Sequence, residues 1–314
     1  MKFLKYLIYF LGLFFVNSTN GLNILAIFPL SMKSHYAIGF SIVKSLLDVG
    51  HNVTAISTLK PDKQIENYQI ISIPDVMEEF KEQEPNPFEF IHMPIIMSML
   101  MMPKFGIDMV NSVMKSEELH MFLKSNDKFD ICIMELFGDE ALLGIPEKFD
   151  CILLLYMTFD SFVWSDNIVG NQSPGSYVPN PYLHYTDKMT YMERVWNEFV
   201  NLFDKTLYYG YHLPRQRELY NKYFPNAKRT FDEMYRNSSI IFINNHVSHS
   251  FPRPHQPTQI EIGGIHQTDG AILFSMGSYI DGTDWPLEKR DAFIKVFGKL
   301  KQKVIWRYSN ETLP

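Results

Sequence analysis

The strongest constraint in this 314-residue sequence lies near its start. "NILAIFPL", residues 23–30, is an uninterrupted apolar run of strand length. Apolar residues then recur at Ile38, Ile42, Val43, Leu46 and Leu47, the spacing of a helix that buries one face. Gly50 supplies a C-terminal stop, and "HNVTAIS" opens the next strand pattern. A strand that is apolar on both sides needs cover on both faces. Residues 23–57 therefore predict a βαβ unit in a parallel sheet, and the first domain is expected to be α/β.

The alternation resumes with "FDICIM" (129–134), a helix-like segment from Asp139, and "DCILLLY" (150–156) as another buried strand. Between the two units, residues 91–109 concentrate Met93, Met97, Met99, Met101, Met102 and Met109, with Pro94 and Pro103 interrupting. Methionine fills irregular gaps, so this segment reads either as core packing or as a surface that accommodates varied apolar ligands. "GNQSPGSYVPNPYLHY" (170–185) is a long loop, and residues 188–235 read as helices. "SIIFIN" (239–244) is a strand and "FPRPHQP" (251–257) a rigid connector. "QIEIGGI" (259–265) is a short strand ending on paired glycines, where the domain boundary is placed. Beyond it, "AILFSMGS" (271–278), a helix from Pro286 to Leu300 and the strand "KVIWRY" (303–308) begin a second βαβ unit. One strand, helix and strand cannot cover both faces of a parallel sheet, so this second domain is expected to be truncated. The expected division is residues 1–21, 22–258 and 259–314.

The net charge of -6 and the lack of clustered lysine and arginine argue against a nucleic-acid surface. Cys132 and Cys151 lie inside apolar runs and read as buried free thiols, and no metal-ligand pairing of the CxxC or HExxH kind occurs. Lys2 and Lys5 precede an apolar stretch from Tyr6 to Val16, followed by "NSTNG". That is the pattern of a secretory signal peptide, with cleavage expected before Leu22. In a lumenal chain the sequons at Asn52, Asn171, Asn237 and Asn310 are candidate glycan sites, Asn52 the least convincing because it opens a strand pattern.

Ligands of open parallel sheets bind at the carboxyl ends of the strands, and "PLSMKSH" is the loop at that end of the first strand. His35 is placed there to accept a proton near neutral pH; the plainer reading is a surface histidine at a helix N-terminus. A histidine base works with a carboxylate that orients its second nitrogen. In "FDICIMELFGDEALLG", Glu135 ends a strand and Asp139 stands four residues on; Asp139 is also a natural helix cap, and Glu140 a first-turn residue. The first domain contains no GxGxxG or Walker loop, whereas Gly277 and Ser278 in "FSMGS" form a turn that an anion can approach.

The sequence resembles the UDP-glycosyltransferases, most closely those of insects. The likeness is carried by "SHYAIGFSIVKSLLDVGHNVTAIS", "FDICIMELFGDEALLG", "SPGSYVPNP", "RPHQPTQIEIGGIH" and "ILFSMGSYIDGTDWPLEKRDAFIKVFGKLKQKVIWRY". It implies two Rossmann-like domains of the GT-B type, an acceptor domain and the start of a UDP-sugar domain. It also implies inverting transfer of glucose or glucuronate from a UDP-sugar, a co-substrate and not a cofactor, to a hydroxyl of a small lipophilic acceptor. His35 falls on the family's base. The family's supporting aspartate aligns with Glu135, with Asp139 as a stand-in. Gly277 and Ser278 match the turn that meets the UDP phosphates, and Trp306 with Arg307 the strand end beneath the donor. The expected setting is the endoplasmic reticulum. Family members continue past "VIWRY" into further donor residues, a membrane span and a basic tail. Hence the alternative expectation of a non-catalytic lumenal binder or partner subunit that keeps only the acceptor pocket. The sequence is also compatible with a homo-oligomer.

Overall fold

The computed structural model describes residues 21–75, 93–238, 240–246, 250–266, 272–274, 287–299 and 304–306. The signal-peptide expectation and the Asn310 sequon lie outside them. The first βαβ unit is strand β1 (Asn23–Phe28), helix α1 (Lys33–Asp48) and strand β2 (Asn52–Ser57). β1 and β2 pair in parallel from Asn23 opposite Asn52 to Phe28 opposite Ser57. Gly50 adopts φ +90°, the left-handed conformation that lets the chain leave α1 and turn directly into β2.

Strand β3 (Tyr68–Ser72), which sequence patterning does not announce, adds to β2. Its burial pattern is mixed, because it is the sheet edge and meets solvent on one side. Helices α2 (Ile95–Val113) and α3 (Glu117–Leu123) lead to β4 (Ile131–Glu135). A 3-10 turn (Glu140–Leu143) and α4 (Gly144–Phe149) lead to β5 (Ile152–Met157). After α5 (Val163–Ile168) come α6 (Tyr191–Leu207), a π-helical turn (Tyr208–His212), α7 (Leu213–Tyr223) and α8 (Phe231–Arg236). β6 (Ile240–Ile243) and β7 (Gln259–Glu261) complete a seven-stranded parallel sheet in the order β3-β2-β1-β4-β5-β6-β7. This is a Rossmann-like α/β unit, and the order reverses direction between β1 and β4.

Compact packing divides the chain after Gly263. Residues 259–261 therefore belong to the first unit and not the second, because β7 pairs with β6 from Gln259 opposite Ile241. In the second unit, β8 (Ile272–Phe274), α9 (Leu287–Phe297) and β9 (Val304–Trp306) form one βαβ unit, the strands parallel with Phe274 opposite Trp306.

The core is the two-sided burial that the strand runs predict. Leu25, Ile27, Cys132, Met134, Leu153 and Leu155 share one face and one apolar cluster, and Ile24, Ala26 and Ile133, which alternate with them on the other face, are equally inaccessible. The cysteines correct an expectation: they form a disulfide, with Cα atoms 5.7 Å apart, and are not free thiols. Cys132 lies opposite Leu153 on the neighbouring strand, and Cys151, two residues before Leu153, faces the same side of the sheet. Only the register, invisible in either strand alone, brings the sulfurs together.

The prolines of the methionine-rich segment do not break it. Pro94 is the N-cap of α2, where a missing N–H costs nothing, while Pro103 sits within the helix and leaves the Met99 carbonyl without its usual donor. The long loop of residues 170–185 is held by asparagines of α6. Asn197 donates to the carbonyls of Gly175 and Val178 at 2.8 and 2.9 Å and accepts from the Asn180 amide at 2.7 Å. The Asn171 sequon is another correction, since its side-chain nitrogen is buried and donates to Asp166, Pro254 and Gln259. A glycan would take one of the two N–H hydrogens from these bonds and has no room at a nitrogen so enclosed. Asn237, which caps α8, is exposed. Among the described residues, no helix is long and apolar enough to cross a membrane.

Candidate active site

The reversal of strand order between β1 and β4 opens a crevice at the carboxyl ends of those two strands, the place where doubly wound sheets bind ligands. The chain leaves β1 through Pro29–Met32 and enters α1, which puts His35 in the first turn of that helix, 3% exposed and not on the surface. Glu135 is the last residue of β4 and is 1% exposed. The two meet: His35 Nδ1 lies 2.5 Å from Glu135 Oε1. A carboxylate only accepts, so the proton of this contact belongs to Nδ1, which leaves Nε2 with its lone pair. Nε2 has no partner among the described residues.

Neighbouring elements fix both groups. Thr158, just past the end of β5, has its hydroxyl 3.0 Å from His35 Nδ1 and donates to Glu135 Oε1 at 3.1 Å. The Tyr156 hydroxyl approaches the other carboxylate oxygen at 3.5 Å. Burial, reinforced by the Glu135 charge, raises the Tyr156 phenol well above its ordinary range, so it stays a donor. Gly39 lets α1 approach this strand, because a Cβ there would stand 2.5 Å from both the Tyr156 hydroxyl and the Phe28 ring. The His35 ring is wedged edge-on between Phe137 and Phe159, at centroid distances of 5.0 and 5.2 Å.

Asp139 has a different place. It is wholly buried, makes no cap bond to the following turn, and accepts from the Phe137 amide at 3.0 Å through Oδ1. Its Oδ2 has no partner among the described residues. Burial, together with the charges of Glu140 and Glu135, drives its carboxyl well above the ordinary range and toward the neutral acid, against the Phe137 amide bond. It does not touch His35. Glu140 is likewise no ordinary first-turn residue: it is 0% exposed and paired with His212.

Beside this turn is a small cavity of about 50 Å³ that opens to solvent. Met99, Met102 and Pro103 of α2 line it with Phe137, Trp164, Tyr182 and Tyr208. The two readings of the methionine segment meet along one helix: Met102 lines the cavity, Met109 lies in the main core, and Met99 both lines the cavity and packs with Leu183 and Val200 in a smaller apolar cluster. Gly106 permits this packing, since a Cβ there would come within 2.1 Å of the Gly138 carbonyl. Asp204 also lines the cavity. Burial, offset in part by an Asn180 hydrogen bond and the Lys205 charge, pushes its carboxyl up to about 6. Of the donor-side expectations, Gly277, Ser278 and Arg307 lie outside the described residues, and Trp306 is described only as the end of β9.

Sequence reading misses Thr158, although it stands at a strand end like the two positions that reading does inspect. His212 carries no signal at all, since it lies in a helical stretch with no motif.

A doubly wound parallel sheet with a buried histidine–carboxylate pair at its switch point and an apolar cavity alongside is the arrangement in which such sheets hold small-molecule ligands. Comparison narrows it. The family model described as UDP-glucoronosyl and UDP-glucosyl transferase matches residues 31–314, and the chain belongs to that family. UDP-glycosyltransferase UGT5 of Dactylopius coccus is 28% identical over 98% of this chain and 62% of its own length. UDP-glucuronosyltransferase 1A10 of Homo sapiens is 29% identical over 63% of this chain and 40% of its own length. This chain therefore spans about three fifths of the length of the first of these. Among solved structures, CalG4, the calicheamicin glycosyltransferase, aligns with 94% of this chain and 68% of its own at 12% identity and a TM-score of 0.48.

Proposed function

We propose that the protein transfers a hexosyl group, glucose or glucuronate, from a UDP-sugar to a hydroxyl of a small lipophilic acceptor. His35 Nε2 takes the acceptor's O–H proton as the oxygen attacks the anomeric carbon. The bond from that carbon to the diphosphate breaks, UDP leaves with the electron pair, and the configuration inverts. Glu135 holds the Nδ1–H tautomer and offsets the charge of the imidazolium, and Thr158 holds Glu135.

The observation that carries this reading is the 2.5 Å His35–Glu135 contact at the β1/β4 switch point, with the other imidazole nitrogen unpartnered among the described residues. Relatives named as a UDP-glucosyltransferase and as UDP-glucuronosyltransferases support a hexosyl donor. The methionine and aromatic lining supports an apolar acceptor. A secretory setting, with attachment to the endoplasmic reticulum membrane and N-linked glycans, is part of the same proposal. The Cys132–Cys151 disulfide and the exposed Asn237 support it.

The test is product formation from UDP-glucose or UDP-glucuronate and a panel of phenols, with the anomeric configuration of the product read by NMR. An inverted product, and loss of turnover in His35→Ala, is expected. A product that retains the donor configuration, or full turnover in His35→Ala, refutes the mechanism.

A further inference from the structure

Glu140 and His212 form a second buried histidine–carboxylate pair that the transfer reaction does not use. His212 Nε2 lies 2.7 Å from Glu140 Oε2, and the Tyr208 hydroxyl donates to Oε1 at 2.7 Å. Both partners come from the π-helical turn Tyr208–His212, four residues apart. The carboxylate accepts at both oxygens, so the proton on the His212 contact sits on Nε2. In the neutral ring Nδ1 then carries the lone pair. The residue is 3% exposed, Nδ1 has no partner among the described residues, and the imidazole forms part of the cavity wall, backed by the Gly138 turn. An acceptor atom buried without a donor is costly unless something bound supplies one.

We infer that His212 is a specificity-determining residue of the cavity: Nδ1 accepts a hydrogen bond from a second hydroxyl on an otherwise apolar acceptor, while Glu140 and Tyr208 hold the ring in the accepting tautomer. The favoured ligands are thus diols with an apolar body. This rests on reading the cavity as the acceptor pocket. Phe137 separates the two histidines in role: it packs on His35 and lines the cavity in which His212 waits.

Binding separates the inference from the reading beneath it. Isothermal titration of the unmodified chain uses 4,4′-dihydroxybiphenyl, 4-hydroxy-4′-methoxybiphenyl and 4-hydroxybiphenyl. The diol is expected to bind about tenfold more tightly than either of the others, beyond the statistical advantage of its symmetry, because only it donates a second proton. His212→Phe keeps the ring stacked on Tyr208 and is expected to bring the three affinities together by weakening the diol alone. A methyl ether that binds as well as the diol, or a diol that binds no better than 4-hydroxybiphenyl, overturns the inference and leaves the acceptor pocket standing. So does a folded His212→Phe that still prefers the diol. If none of the three binds, the pocket reading itself falls, and the inference with it. The ether comparison needs no variant and holds even if His212→Phe fails to fold.

Discussion

The sharpest consequence of the site geometry concerns which carboxylate serves His35. Glu135→Gln replaces a carboxylate 2.5 Å from Nδ1 with a neutral amide of the same shape, and Thr158, 3.0 Å from the same nitrogen, still helps to orient the ring. What is lost is the charge that stabilises the imidazolium as it forms. With the imidazolium charge spread over the ring, the centres are about 4 Å apart, which at an effective dielectric of about 20 corresponds to about 4 kcal/mol. At about 1.4 kcal/mol per decade that is close to a thousandfold in rate. Retained orientation and relaxation around the amide bring the expected fall in kcat to between about a hundredfold and a thousandfold, with KM changing less than about threefold. Both side chains are almost wholly buried, so added salt should not narrow the difference. Asp139→Asn is the matched control. Its carboxyl is driven toward the neutral acid, so the amide replaces a group that already carries little charge, and kcat should change less than about threefold. UDP release with a phenolic acceptor at saturating donor measures both. A Glu135→Gln enzyme within tenfold of the parent, or an Asp139→Asn enzyme as impaired as Glu135→Gln, refutes the assignment of Glu135 as the positioning residue.

Three further outcomes follow from other parts of the molecule. Asp204, raised from 3.8 to about 6 mainly by burial, favours the folded state fully below pH 4 and loses that contribution as pH rises through 6. Asp204→Asn should therefore stabilise the protein at pH 8 by up to about 3 kcal/mol, with the gain shrinking toward pH 4, as read from urea midpoints; a gain that is constant with pH contradicts it. Replacing both Cys132 and Cys151 with alanine opens a loop of 19-residue separation and should cost about 3 kcal/mol in the same assay. Expressed through a secretory host, the protein should carry glycan at Asn237 and none at Asn171, so only Asn237→Gln should lower the mass seen by spectrometry.

Much of the scaffold is legible along the chain because its signals are local. The apolar runs that become β1, β4, β5 and β6 need burial on both faces whatever surrounds them, and the α1 periodicity specifies which side of that helix turns inward. β3 escapes notice because an edge strand with one wet side has no strong pattern. α2 shows the limit from the other direction. Its prolines read as interruptions, yet burial of Met99, Pro103 and Met109 carries the helix through a missing hydrogen bond.

The sequence alone determines that this is a parallel α/β protein and that His35 and Glu135 stand at the carboxyl ends of two strands, because both follow from position within short patterns. Whether those ends are neighbours is a matter of strand order, and only the tertiary structure decides it: β1 lies against β4, and the sheet reverses there. The same long-range pairing joins Cys132 to Cys151, sets Thr158 against both His35 and Glu135, and buries Asp139 with its Oδ2 unpartnered among the described residues. It also brings His212 across 72 residues of sequence to Glu140. Adjacent acids in "GDE" look alike as letters. Their chemistry differs because burial and charge partners arise from contacts between segments far apart in the chain, which no local pattern encodes.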